Sequence, residues 1–115
     1  MTACVGIWNP DDGRWTYCAA GHPGGILIRD GNIEELSATA PLLGVLPDGQ
    51  WETASVSLSP QDRVFLYTDG ITEARNTEGQ YYEVGRLLEI ARKRKNGTTA
   101  QDMMDMINRD VYDFT

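Results

Sequence analysis

Apolar positions recur every second residue over roughly the first 68 positions and every third or fourth residue after position 83, a pattern that predicts strands followed by helices. Residues 2–8 (TACVGIW) and 14–20 (RWTYCAA) flank NPDDG, a Pro/Asp/Gly cluster suited to a turn, and predict a hairpin. Residues 25–29 (GILIR) and 32–36 (NIEEL) flank Asp30-Gly31 and predict a second one. The segment 37–50, SATAPLLGVLPDGQ, is punctuated by two prolines and two glycines yet carries Leu42, Leu43, Val45 and Leu46. An ordered loop that docks these side chains on the core is expected there. Residues 52–58 (ETASVSL) predict a short strand, SPQD a turn, and 63–68 (RVFLYT) the most apolar strand of the chain. Val64 and Leu66 alternate with Phe65 and Tyr67, so both faces of that strand are expected to be covered.

In EVGRLLEIARKRK the apolar residues Val84, Leu87, Leu88 and Ala91 fall on one helical face. Asn96-Gly97 suits a C-cap, and Thr98 with Gln101 matches a capping box that opens a second helix. That helix carries Met103, Met104, Ile107, Val111 and Phe114 as its apolar side, read as packing rather than as cofactor contacts. Strands followed by helices imply an α+β layered domain. Met1 runs straight into a strand and the last helix stops at Phe114-Thr115, so a domain incomplete at both ends is expected.

A chain of 115 residues with 41% hydrophobic content suggests one globular domain rather than a disordered segment. No window reaches the roughly 18 apolar residues of a membrane span, and Met1-Thr-Ala-Cys lacks a basic signal-peptide start, so a cytoplasmic protein is expected. The net charge of −7 opposes a nucleic-acid partner, which would need a basic field. The basic run Arg92–Lys95 reads as a solvated helix end, where cations suit the dipole. Cys4 and Cys18 lie on what read as neighbouring strands, in a register loose enough to let them face each other; without a secretory signal, buried thiols are expected rather than a disulfide.

Several chemistries are excluded. His22 is the only histidine, so there is no His-rich zinc site and no H-E-x-x-H. Neither cysteine is followed six residues later by arginine, as a cysteine phosphatase requires, and Walker A and G-x-S-x-G motifs are absent. Oxygen-ligand chemistry on carboxylates remains. In DRVFLYTDGITEARN, residues 62–76, Asp69 follows the apolar strand, Gly70 allows a sharp turn, and ITEAR can begin a helix. On spacing alone Asp69 reads as a cap of that helix or as a metal ligand, and a single carboxylate does not define a Mg2+ or Mn2+ site.

The blocks YCAAGHPGGILIRDG (17–31), PLLGVLPDG (41–49), LSPQDRVFLYTDGITEARN (58–76) and VGRLLEI (84–90) resemble, in order, those of the SpoIIE-type (RsbU-like) bacterial serine/threonine phosphatases. These form a branch of the metal-dependent PPM family. The resemblance covers nearly the whole chain, and the pairing of AGHP with LYTDGITEARN is its most specific part. It implies an antiparallel β-sandwich flanked by helices, with two Mn2+ or Mg2+ ions and a bridging water that attacks phosphoserine or phosphothreonine. Carried over by position, Asp69 is a metal ligand. Glu73 and Gly70 are possible supporting residues around it, Glu73 reading more simply as a solvated side chain. Gly21 and His22 belong to a structural turn near the sheet, and GHPGG reads as hairpin geometry rather than a phosphate loop.

The family places a "GD" aspartate and a "D-V-x-G-x-G" aspartate upstream of the blocks present here and a "DD" pair downstream of them, and none stands at those places within residues 1–115; the only Asp-Asp pair, Asp11-Asp12, lies in the first turn. Residues 1–115 are therefore expected to be a single partial domain, the C-terminal half to two-thirds of the phosphatase, inactive and at most weakly metal-binding alone. The resemblance implies a phosphorylated anti-anti-sigma (STAS-type) protein as substrate and no membrane or nucleic-acid partner. Unpaired sheet edges raise the prospect of a homodimer. The alternative function is a non-catalytic binding or dimerisation module derived from the same fold.

Overall fold

Asp30 and Gly31 take φ angles of 46° and 78°. Both central residues of a type I′ turn need this left-handed backbone, and the turn's twist matches that of paired strands. In the computed structural model, which describes all residues except 42, 45, 46, 49 and 94–96, this turn joins β3 (Ile26–Arg29) to β4 (Asn32–Glu35). The first hairpin joins β1 (Ala3–Asn9) to β2 (Arg14–Ala20) in antiparallel register, from Ala3↔Ala20 to Asn9↔Arg14. Its turn is tied by Asn9 and Asp12, whose side chains accept from the backbone N–H groups of Asp11 and Arg14, each at 2.9 Å.

Among the described residues two three-stranded sheets result. β5 (Ala54–Ser57) pairs with β2 to give the order β1-β2-β5, and β6 (Arg63–Phe65) pairs with β3 to give β4-β3-β6. Alternation along β2 sends Trp15, Tyr17 and Ala19 to one face, where Tyr17 and Ala19 meet Leu27 of β3 and Leu36 in a buried cluster. Cys4, Ala54, Val56, Leu58 and Val64 pack against it, so both sheets contribute to one sandwich core. Gly6 is part of this fit, because a Cβ there would overlap the Trp15 ring. The opposite face of β1 presents Val5 and Ile7, 63% and 68% exposed.

The chain separates into two compact units, residues 1–30 with 34–67, and residues 31–33 with 68–115. The first is the sandwich, and the fold class expected from the strand-then-helix pattern is the one observed. The second contains α1 (Asp69–Thr72), α2 (Glu83–Arg92) and α3 (Ala100–Phe114). Among the described residues no helix is long and apolar enough to cross a membrane.

Four local expectations are corrected. The apolar strand expected over 63–68 ends at Phe65, and Leu66 is 51% exposed rather than covered. Its partner explains this: pairing ends at Ile26↔Phe65, and the preceding residue, Gly25, leaves the extended region with φ 100°. Cys4 and Cys18 do not face each other, since Cys18 pairs with Val5 and Cys4 with Ala19. That one-residue offset puts the two thiols on opposite faces of the sheet, and both are free. The capping box of α3 is Thr99 with Asp102 rather than Thr98 with Gln101. Thr99 Oγ1 accepts from the Asp102 N–H at 3.0 Å, and Asp102 accepts from the Thr99 N–H at 3.2 Å. Gln101 instead donates to Asp105 at 2.9 Å. On α3, Met103 and Ile107 are buried and Val111 and Phe114 half-buried, whereas Met104, about 100° round the helix from Met103, is 41% exposed. On α2, Leu87, Ile90 and Ala91 are buried, and Val84 and Leu88 partly so. The docking of Leu42, Val45 and Leu46 and the cap role of Asn96 lie outside the described residues; Leu43 is half-buried, and Gly97 has φ 84°.

Glu83 begins α2 with φ 65°, a left-handed conformation that costs a residue with a Cβ roughly 1 kcal/mol or more. Glu83→Gly is therefore expected to stabilise the protein by up to about 1 kcal/mol, because glycine occupies this region without penalty. Urea denaturation followed by circular dichroism checks this. A destabilised variant would mean that Glu83 is held by contacts worth more than the strain.

Candidate functional site

The backbone around Asp69 is built by short-range hydrogen bonds. Thr68 is extended (φ −105°, ψ 162°) and occupies the N-cap position of α1 without a side-chain capping bond. The Ile71 N–H donates to the Thr68 carbonyl at 3.1 Å. The Asp69 carbonyl accepts from the Glu73 N–H at 2.7 Å and from Thr72 Oγ1 at 3.3 Å. The backbone of Asp69 is thus fixed while its exposed side chain is not used as a cap, and among the described residues no hydrogen bond or ion pair engages its carboxylate.

Gly70 lies within α1 and is not among the glycines with positive φ, so it does not supply the sharp turn expected from the sequence. What it supplies is room: a Cβ there would come to 3.3 Å from Thr68 Oγ1. Glu73 is the C-cap residue of α1 and is exposed.

Gly21 and His22 belong to the sandwich unit. Gly21 adopts φ 61° and donates its N–H to the Ala40 carbonyl at 2.9 Å. Half-buried His22 places Nδ1 3.4 Å from Thr2 Oγ1. Gly24 and Gly25 are buried, and a Cβ on Gly24 would collide with the Leu36 carbonyl, while one on Gly25 would come to 2.8 Å from the Phe65 carbonyl. GHPGG is therefore a segment of close backbone approach, with its glycines packed against carbonyls rather than opening a phosphate cradle.

After α1 the chain makes a tight excursion that sequence reasoning left unassigned. Arg75 and Tyr81 form an antiparallel bridge. Asn76 Oδ1 accepts from the backbone N–H groups of Glu78 and Gln80 at 3.0 and 2.9 Å, and its Nδ2 donates to Gln80 Oε1 at 2.8 Å. Gly79, with φ 81°, allows the return. The signal was present as N-x-x-G, an asparagine able to hold its own turn three residues before a glycine.

Farther along the same unit, α2 and α3 are joined by a polar contact that sequence reasoning also missed. The Tyr82 hydroxyl donates to Asp110 Oδ2 at 2.6 Å, and Arg86 Nε donates to the same oxygen at 2.9 Å. The Arg86 guanidinium lies 5.4 Å from the Tyr82 ring and 4.8 Å from that of Phe114. The Arg86 hydrogen bond holds the Asp110 carboxyl below the ordinary carboxylate range, and burial first, then the Asp110 bond, raises the Tyr82 phenol.

Among the described residues no group of three or more His, Cys, Asp or Glu is arranged to hold a metal ion. Asp69 suits a Mg2+- or Mn2+-type ion as one hard oxygen donor, but one donor does not complete such a site.

The family profile described as Stage II sporulation protein E (SpoIIE) matches residues 1–115. The chain belongs to the SpoIIE family. Phosphoserine phosphatase RsbU of Bacillus subtilis is 29% identical to this SpoIIE-family chain over 115 residues, covering 98% of the chain and 32% of its own length. The RsbU and RsbW domains of a Mycobacterium tuberculosis protein share the fold at TM-score 0.80 and 24% identity, over 94% of this chain and 31% of theirs. The phosphatase domain of the Bacillus subtilis cell-fate determinant SpoIIE, in crystals presoaked with manganese, matches at TM-score 0.71 and 18% identity, over 98% of this chain and 48% of that one. This SpoIIE-family chain spans between 15% and 32% of the length of the curated relatives it matches.

Proposed function

We propose that residues 1–115 are a single partial domain, the C-terminal half to two-thirds of a metal-dependent protein serine/threonine phosphatase, in which Asp69 is one ligand of two Mn2+ or Mg2+ ions. The observation that carries this reading is the Asp69 carboxylate, exposed and uncommitted on a backbone that three hydrogen bonds hold in place. Such ions, when bound, lower the pKa of water and offset phosphoryl charge, which suits a chain without a nucleophilic Cys or His motif. Gly70 keeps clear the space beside the Thr68 hydroxyl next to Asp69, and Glu73, exposed at the end of α1, has its carboxylate available to orient solvent. Gly21 and His22 take a structural part. The substrate in this reading is a phosphorylated anti-anti-sigma protein of the STAS type, acted on in the cytoplasm. The match to RsbU, named a phosphoserine phosphatase, supports phosphoserine as the group hydrolysed.

The longer protein containing this segment is the material for the test. Manganese-dependent release of phosphate from a phosphoserine protein supports the reading, and no release under any divalent cation sinks it. The 115-residue chain alone is expected to be inactive. Calorimetric titration with Mn2+ should show binding no tighter than about 1 mM, unchanged in Asp69→Asn, because one carboxylate is too few ligands. Micromolar binding that Asp69→Asn abolishes would show that the fragment builds a site of its own.

A second reading, a binding or dimerisation module, draws support from Val5 and Ile7, both more than 60% exposed on the uncharged strand β1. β1 is also an edge of its sheet, where a second copy can add strands. A natural start and stop at Met1 and Thr115 in the coding sequence would favour this module; recovered aspartate motifs on either side would favour the enzyme.

A further inference from the structure

Arg29 and Arg86 each face a carboxylate, Asp62 at 2.7 Å and Asp110 at 2.9 Å, so their charges are compensated. Arg75 is held differently. Its guanidinium lies 4.6 Å from the centroid of the Tyr81 ring, and its Nη2 donates to the Tyr81 hydroxyl. Arg75 is exposed, and among the described residues no carboxylate stands within ion-pair distance of it. An aromatic partner orders a guanidinium without neutralising it, and most of the five N–H donors stay available.

The support beneath it is stiff. The Arg75–Tyr81 bridge, the two Asn76 side-chain bonds to the loop backbone and the Tyr82 N–H to Ala74 carbonyl bond at 2.8 Å all close the same excursion. In a chain of net charge −7, an arginine seated on an aromatic ring with no carboxylate partner is a distinct feature, since Arg86, the other ring-stacked arginine among the described residues, is paired with Asp110. It leaves α1 three residues after that helix ends, and α1 begins with Asp69.

We propose that Arg75 binds an oxyanion of the substrate, either the phosphoryl group or a carboxylate next to the phosphorylated residue, with Tyr81 as its positioning residue. The planar guanidinium suits both anions, which it can grip with two parallel N–H···O bonds. The proposal rests on the phosphatase reading and supplies the anion-recognition element which that reading lacks.

Two measurements test it. The isotope-labelled chain is titrated with N-acetyl-phosphoserine amide and, separately, N-acetyl-aspartate amide, observing the Arg75 Nε–H and Tyr81 ring signals. Saturable shifts with either probe, lost in Arg75→Ala and weakened in Tyr81→Phe, are expected. No shift at these groups with either probe overturns the proposal. In the longer protein, Arg75→Ala should raise KM for the phosphoprotein and lower kcat/KM by about ten- to a hundredfold, with partial rescue in Arg75→Lys.

An equal loss on p-nitrophenyl phosphate assigns the contact to the phosphoryl group, and a loss on the phosphoprotein alone assigns it to a flanking carboxylate. Values within twofold of wild type on both substrates overturn the proposal. An inactive wild-type protein is a separate failure, that of the phosphatase reading, and the titration still decides whether Arg75 binds the anion.

Discussion

Asp69→Asn in the longer protein is expected to lower kcat/KM toward a phosphoserine protein by about a hundred- to a thousandfold, with stability changed by no more than about 0.5 kcal/mol. The two halves of this expectation have different causes. Asparagine keeps the shape of the side chain and removes its charge, and a divalent ion bound by oxygen ligands depends on that charge. Several kcal/mol of lost stabilisation at the reacting phosphoryl group corresponds to that range of rates. Stability is spared because the carboxylate is exposed and caps nothing; the hydrogen bonds that shape α1 run to the Thr68 and Asp69 carbonyls, which the substitution retains. Steady-state kinetics over a manganese series, with thermal melts in parallel, measures both. Activity within tenfold of wild type at saturating manganese would remove Asp69 from the metal site.

Asp110→Ala should destabilise the protein by about 2–3 kcal/mol, because it withdraws the shared acceptor of Tyr82 and Arg86 and leaves a buried hydroxyl unpaired. The melting temperature should fall by on the order of 10 °C. The same carboxylate makes stability depend on pH. Its folded pKa lies below the unfolded value, so its contribution is fully present above the ordinary carboxylate range and is lost as pH falls through the depressed value. The Tyr82 phenol is shifted upward in the folded state, so its contribution is present below the ordinary tyrosine value, about 10, and is lost as pH rises above it. Denaturant midpoints measured across pH should therefore form a plateau between those limits, and Asp110→Asn should flatten the acid limb. An acid limb identical in Asp110→Asn and wild type would assign that dependence to other carboxylates.

What could be read from the residues was what short stretches of chain decide for themselves. Asp30-Gly31 specifies its turn without help from the rest of the molecule, and alternation along RWTYCAA places Tyr17 and Ala19 in the core whatever covers them. The repeat in EVGRLLEIARKRK places Leu87 and Ala91 on a buried face of α2. Errors arose where a partner decides the outcome. Leu66 is as apolar as its neighbours, but Gly25 turns away and takes the neighbouring strand with it. Thr98 and Thr99 are equally good caps by composition, and Asp102 selects the second. Glu83 gives no sign in the sequence that it must adopt a glycine's backbone. The site was legible only in part for the same reason. Asp69 could be located from its position after an apolar strand and from a family resemblance, while the Tyr81 support of Arg75 requires two residues six apart to be bridged face to face.

The close seat of the Trp15 ring on Gly6 has an optical consequence. Trp8, Trp15 and Trp51 all belong to the sandwich unit, and residues 31–33 with 68–115 contain no tryptophan. Among the described residues the Trp15 indole N–H is buried without a hydrogen-bond partner, whereas Trp8 and Trp51 are 47% and 41% exposed. Trp15 should thus supply the blue edge of the emission band, and intensity there reads the sheets alone. Ellipticity at helical wavelengths reads mostly α2 and α3 of the other unit. Overlaying the two signals during one denaturation distinguishes a molecule that melts in a single step from one whose halves let go in turn.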